Sequence, residues 1–237
     1  MKKLVAIGGG QIPKWNFETR DNQQERYETK EIDEEIVRLS NKQNPKLLFI
    51  GTASRENAYY FQAINEIYSR LNCDVNELRI LNGEVTREEI ENKILNTDII
   101  YIGGGNTRYM IQQWKKYKIQ AFLKKAYEKG IVLAGYSAGS YCMFEYNYEL
   151  IQGMNLITAI NCVHYDEKSE EKKQEFKKNM VEKGKVGIAL ENGTALEIIE
   201  DRYRIIKSIK TARAYRIDRE KEQEMNNKDF LEIKDLF

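Results

Sequence analysis

The chain has 237 residues, a length at which one α/β core can enclose most apolar side chains, so a single domain over residues 1–237 is expected. Its 38 basic and 37 acidic residues nearly cancel, to a formal net charge of +1, which offers no field for nucleic acid or an acidic membrane surface. No apolar run approaches the roughly 18 residues of a membrane helix, and Cys73, Cys142 and Cys162 are too scattered for a disulfide framework or a paired metal-ligand pattern. A soluble protein of the reducing cytoplasm is expected, a monomer or homodimer without nucleic-acid or membrane partners.

The opening MKKLVAI runs straight into glycines, too brief an apolar stretch for a signal segment, and reads as a first strand at residues 3–7. Further short runs rich in Ile, Leu and Val follow at residues 46–50, 75–81, 98–102, 131–135 and 186–190, each closing at or near a glycine. Between them Ile32, Ile36 and Leu39 share one helical face, as do Phe61, Ile64, Ile67, Tyr68 and Leu71. Thr86 with Glu89 has capping-box spacing and predicts a helix start. Apolar strands alternating with amphipathic helices predict an α/β fold, its mostly parallel sheet covered on both faces. Beyond residue 190 the runs at 195–199 and 203–206, joined by Glu200, Asp201 and Arg202, predict an antiparallel β-hairpin appended to that sheet. Residues 11–29 and 167–185 lack clear periodicity, though Phe176 and Met180 give the second a modest helix, and the charged stretch 218–228 reads as solvated surface.

The strongest chemical signal is IVLAGYSAGSYCMF, residues 131–144, in which a strand meets Gly-Tyr-Ser-Ala-Gly and then a helical pattern. Glycines on either side of Ser137 permit the tight strand-to-helix turn that lifts a hydroxyl above a sheet edge and places the N–H of Ala138 beside it. A serine hydroxyl needs a base to take its proton, and His164 is the only histidine of the chain. A second cluster, DIIYIGGGNT at residues 98–107, follows another strand and precedes a helix that Asn106 or Thr107 can cap. Its Gly104 or Gly105 N–H, with that of Ala138, can hold an oxyanion. Neither triglycine continues into G-x-G-x-x-G, which argues against a dinucleotide site.

Together YIGGGNT, LAGYSAGS, VHYD and IALENGTAL, in that order, resemble the peptidase E family of serine peptidases, over about residues 3–217. The resemblance implies a three-layer α/β/α sandwich similar to class I glutamine amidotransferases, with serine where those enzymes carry cysteine, and no metal or organic cofactor. It matches Ser137 to the nucleophile, His164 to the histidine and the GGGNT loop to the oxyanion glycines, and it suggests aspartyl dipeptides as substrate. Relatives place an Asp or Glu between serine and histidine, an interval that here offers Glu145 and Glu149. Glu149 is favoured because Glu145 is expected to continue the helix after the elbow. Glu191 is held in reserve, Asn192 standing where relatives often carry Asp. Asp166 is expected to hold the histidine loop. An acidic substrate requires a cation, and Arg55, Arg108 and Arg213 are the candidates. Two other readings stay open, an esterase or amidase with the same machinery and a non-catalytic binding protein on the same fold.

Overall fold

The computed structural model describes residues 1–13, 27–219, 221–226 and 229–237. In chain order the elements are β1 (Lys3–Ile7), α1 (Lys30–Leu39), β2 (Lys46–Ile50), α2 (Ala58–Arg70), β3 (Asp74–Leu78), α3 (Arg87–Leu95), β4 (Ile99–Ile102), α4 (Thr107–Tyr117), α5 (Ile119–Glu128), β5 (Val132–Tyr136), α6 (Ala138–Tyr141), β6 (Phe144–Asn147), β7 (Ile157–Val163), α7 (Glu170–Lys183), β8 (Gly187–Leu190), β9 (Thr194–Ile199), β10 (Arg202–Lys207), β11 (Ala214–Ile217), β12 (Glu222–Met225) and β13 (Leu231–Glu232). Most of the non-periodic stretch 11–29 lies outside the described residues.

The main sheet runs β13-β10-β9-β1-β5-β4-β2-β3. Its five strands β1, β5, β4, β2 and β3 are parallel, and the expected hairpin, β9 with β10, adds antiparallel to β1. Both faces are covered, as the unbroken apolar runs require. Along β1, Leu4 and Ala6 point into a cluster with Ile90, Trp114 and Leu123 of α3, α4 and α5. Val5 and Ile7 point oppositely, toward Ile32 and Ile36 of α1 and Ile64 of α2. Each fully enclosed Ile or Leu contributes about 1.5–3 kcal/mol, so both helical layers are held by the alternation within single strands. The capping box forms as its spacing predicts, with the Glu89 N–H donating to Thr86 Oγ1 and Glu89 accepting from the Thr86 N–H.

A second sheet, β12-β11-β8-β7-β6, is the main departure from expectation. The run at 186–190 is a strand but belongs here, parallel to β7 and antiparallel to β11. Ile157, Ala159, Ile188 and Leu190 join the core of the main sheet, while Ile160, Cys162 and Ala189 face Phe176 and Met180 of α7. The charged stretch 218–228 contributes β12, an edge strand on which Glu222 and Glu224 stand exposed. Strand β3 ends at Leu78 rather than at 81, because the N–H groups of Ile80 and Leu81 turn to Glu56 Oε1, at 2.6 and 3.1 Å. Helix α6 spans four residues only, since the Met154 N–H takes the Cys142 carbonyl at 2.7 Å and the chain enters β6. Glu145 therefore lies on a strand, not on a helix, and pairs with Lys185 at 2.7 Å.

Asp33, buried in the first turn of α1, is met by three hydroxyls: Tyr27 at 3.0 Å, Thr29 at 2.8 Å and Tyr68 at 2.7 Å. Burial outweighs these donors and pushes its carboxyl from an ordinary 3.8 up to about 6. Because the folded value exceeds the unfolded one, protonation favours the fold: the contribution is complete below about pH 4 and is lost as the pH rises through about 6. Urea denaturation of wild type and Asp33→Asn at pH 4 and pH 7 should show the wild type losing on the order of 2 kcal/mol relative to the variant across that interval.

Candidate active site

The site forms where strands of both sheets reach their carboxyl ends, the position at which open α/β sheets gather ligands. At the end of β5, Ser137 has φ 52° and ψ −105°, a positive-φ conformation that a serine adopts only under constraint. Both elbow glycines are needed. A Cβ on Gly139 would stand 2.1 Å from the Ile102 carbonyl oxygen, and one on Gly135 would stand 2.3 Å from that of Gly139. The helix after the elbow thus lies against β4 with no room for a side chain between them.

His164 follows β7 and is also left-handed, φ 51°. Its N–H donates to the Gly8 carbonyl at 2.9 Å, which ties the second sheet to the end of β1. The imidazole spans two partners: Nε2 lies 3.0 Å from Ser137 Oγ and Nδ1 lies 2.7 Å from Asn192 Oδ1. The ring is 24% exposed. Tyr136 meets it edge-on at 6.4 Å, and its phenol donates to the Gly10 carbonyl. Burial, then the nearby Glu167, pushes that phenol up to about 12, so it stays a donor. Cys142, five residues past Ser137, is buried and its pKa is raised by that burial, which removes it as a thiolate nucleophile.

The carboxylate expected to orient His164 stands elsewhere. Glu149 sits in the turn after β6, where its N–H donates to Asn147 Oδ1 at 3.1 Å and its carboxylate accepts from the Tyr148 hydroxyl at 3.3 Å. The chain folds back there onto Asn147, which also accepts from the Ile151 N–H, and so keeps Glu149 on that turn rather than at the histidine loop. Glu191 turns to the Arg213 N–H at 2.7 Å and the Tyr215 hydroxyl at 3.4 Å. Position Nδ1 is instead held by Asn192, an amide at the end of β8. The Asn-Gly pair at 192–193 is a turn signal after an apolar strand and was the available clue to its placement.

The GGGNT loop reaches the serine, a Cβ on Gly104 falling 3.3 Å from Ser137 Cβ. The Gly104 N–H, however, donates to the Tyr60 hydroxyl at 3.1 Å. Gly105, φ 133°, packs on the Ala53 carbonyl, and Asn106 caps α4 as expected. Ala138 opens α6 beside Ser137. A cavity of about 380 Å³ adjoins the histidine, with Tyr136, His164 and the acidic Glu28, Asp166, Glu167 and Glu191 in its wall. Asp166 holds the histidine loop, accepting from the Asn192 N–H at 2.9 Å. Of the three arginines, Arg213 is drawn toward Glu224 and Arg55 stacks on the Tyr109 ring at 4.3 Å, two residues from the carbonyl that seats Gly105. Arg108 lies exposed on the first turn of α4.

A serine held by a histidine at the top of such a sheet defines a serine-type hydrolase, and comparison with known proteins places it further. The family model of peptidase family S51 matches residues 20–206, so the chain belongs to that family and is a serine-type peptidase, as its resemblance to the peptidase E group implies. It is 26% identical to the uncharacterized peptidase YgaJ of Bacillus subtilis (strain 168) over 227 residues, 92% of each chain. It is 32% identical over 130 residues to the uncharacterized peptidase Lmo0363 of Listeria monocytogenes, covering 54% of this chain and 62% of that one. Two crystal structures share the fold. A peptidase from an acI-B1 Actinobacterium superposes with a TM-score of 0.72 at 17% identity, covering 98% of this chain and 97% of its own. A putative peptidase E protein from Listeria monocytogenes EGD-e gives 0.63 at 19% identity, covering 87% and 98%.

Gly9 was not among the residues that sequence reasoning connected to the site. With φ 144° it lies under the imidazole, where an added Cβ would stand 2.4 Å from His164 Cε1 and 2.2 Å from Asn192 Oδ1. Gly9→Ala should displace both groups and lower kcat/KM by about 10²-fold, with thermal melting showing that the fold survives.

Proposed function

We propose that the protein is a serine exopeptidase that hydrolyses small peptides through an acyl-enzyme, with Ser137 as nucleophile and His164 as base. The observation that carries this reading is the 3.0 Å approach of His164 Nε2 to an elbow hydroxyl held in strained backbone. With Asn192 Oδ1 accepting from Nδ1–H, Nε2 has a lone pair for the hydroxyl proton. As Oγ attacks the scissile carbonyl that proton passes to Nε2, and the carbonyl oxygen becomes an oxyanion beside Ala138 and the Gly104–Gly105 loop. Collapse breaks the C–N bond, His164 returns the proton to the departing amine, and an acyl group stays on Oγ. Water, deprotonated by the same Nε2, then releases the acid and restores the serine.

The finer substrate reading is a dipeptide with N-terminal aspartate. The carboxylates of the adjoining cavity favour a free α-ammonium, which fits an enzyme that works from the peptide N-terminus. They disfavour an acidic side chain in that same space, so recognition of aspartate falls to a cation outside it. Arg55, held over Tyr109 at the lip of the GGGNT loop, is the candidate best placed for it. Three unpaired cysteines agree with a reducing cytoplasm as its location. A fluorophosphonate should label wild type but not Ser137→Ala. Asp-X dipeptides should then be cleaved faster than neutral dipeptides or short esters, N-acetylation should abolish cleavage, and Arg55→Ala should erase the preference for aspartate. Equal rates on acetylated and free peptides would defeat the exopeptidase assignment.

A further inference from the structure

Resting on the reading of Ser137 and His164 as nucleophile and base, we propose that Asp166 and Glu167 are positioning residues that select the tautomer of His164 through the side chain of Asn192. An asparagine amide can present either its oxygen or its nitrogen to an imidazole, and the two choices have opposite consequences. If Nδ2 faced Nδ1, the ring hydrogen would sit on Nε2 and the serine could not be deprotonated. The neighbours of Asn192 decide the matter. Its Nδ2 lies 3.1 Å from Asp166 Oδ2 and 2.6 Å from Glu167 Oε1, and its backbone N–H donates to Asp166 Oδ1 at 2.9 Å. Ionised carboxylates only accept, so Nδ2 must face them and Oδ1 must face the ring. An oxygen at 2.7 Å in turn requires hydrogen on Nδ1, leaving the Nε2 lone pair toward Ser137.

The same arrangement answers what an amide lacks. A carboxylate on Nδ1 would offset the imidazolium formed during proton transfer, whereas Asn192 carries no charge. Glu167 supplies that charge from one step further out, its Oε2 lying 3.9 Å from Nδ1. The local backbone brings it there. The left-handed His164 leads into a 3-10 turn over Tyr165–Glu167, in which the Glu167 N–H donates to the His164 carbonyl at 3.1 Å. Other ionisable groups face the ring less directly: Tyr136 from β5, Glu28 from the chain before α1, and Glu191, whose carboxylate is turned to Arg213 and Tyr215. No lysine or arginine lines the cavity among the described residues.

The test measures kcat/KM against pH, with fluorophosphonate labelling and thermal melting, on the full chain carrying Glu167→Gln, Asp166→Asn, Asn192→Asp, and Asn192→Asp combined with Glu167→Gln. Glu167 is 65% exposed, so its substitution leaves the fold intact. Glu167→Gln should move the acid limb about half a unit to lower pH, since it removes a negative charge near the ring. Asn192→Asp alone sets three carboxylates together without the side-chain donor that joined them and should cost at least about 10²-fold, whereas adding Glu167→Gln should recover about tenfold. An unmoved acid limb, or losses that simply multiply in the double variant, would overturn the proposal and leave the carboxylates a structural role. Wild type that resists labelling would instead overturn the nucleophile assignment, and the positioning role with it.

Discussion

The turn at the end of β1 is where the site is pinned. The Ile7 carbonyl receives the N–H of Ser137, Gly8 receives that of His164, Gly9 receives that of Gly193, and Gly10 receives the phenol of Tyr136. Serine loop, histidine loop and amide loop thus hang from four consecutive carbonyls. Each such bond adds only about 1 kcal/mol to stability, but leaving one of these buried groups unmet would cost more, and so their register is fixed. The absence of side chains over residues 8–10 is what lets three loops approach one turn.

That arrangement explains which parts of the molecule were readable in advance. Strands β1, β2, β4 and β5 announce themselves by apolar runs, because a strand enclosed on both faces needs every side chain apolar. The elbow is legible for a local reason as well, since two glycines around a serine describe one turn. The second sheet is not local. Its strands β6, β11 and β12 carry polar or charged residues, and β7 contains Asn161, so their identity comes from pairing partners far away in the chain. The group at Nδ1 is harder to read for a related reason. The resemblance favours a carboxylate between Ser137 and His164 in chain order, with Glu191 only in reserve, whereas Asn192 arrives 28 residues after the histidine, just past the neighbouring strand of the second sheet.

Buried polar chemistry is concentrated around two histidine-independent anchors as well. Asp33 gathers three hydroxyls under α1, and Arg204 reaches from β10 to both Glu35 of α1 and the fully buried Glu197 of β9. Burial raises the Glu197 carboxyl above its ordinary range, against the pull of Arg204. Both anchors lie on the face of the main sheet opposite the second sheet. The first fastens α1 to α2 and the second fastens α1 to the hairpin, neither bonding to the serine or the histidine.

Ser137 and His164 belong to different sheets. Ser137 rides on the main sheet, His164 and Asn192 follow strands of the second, and Leu4, Ile102 and Leu133 of the one share an apolar core with Ile157, Ile188 and Leu190 of the other. Hydroxyl and imidazole therefore meet only where two separately built layers are clamped together, like the two leaves of a hinge at one pin.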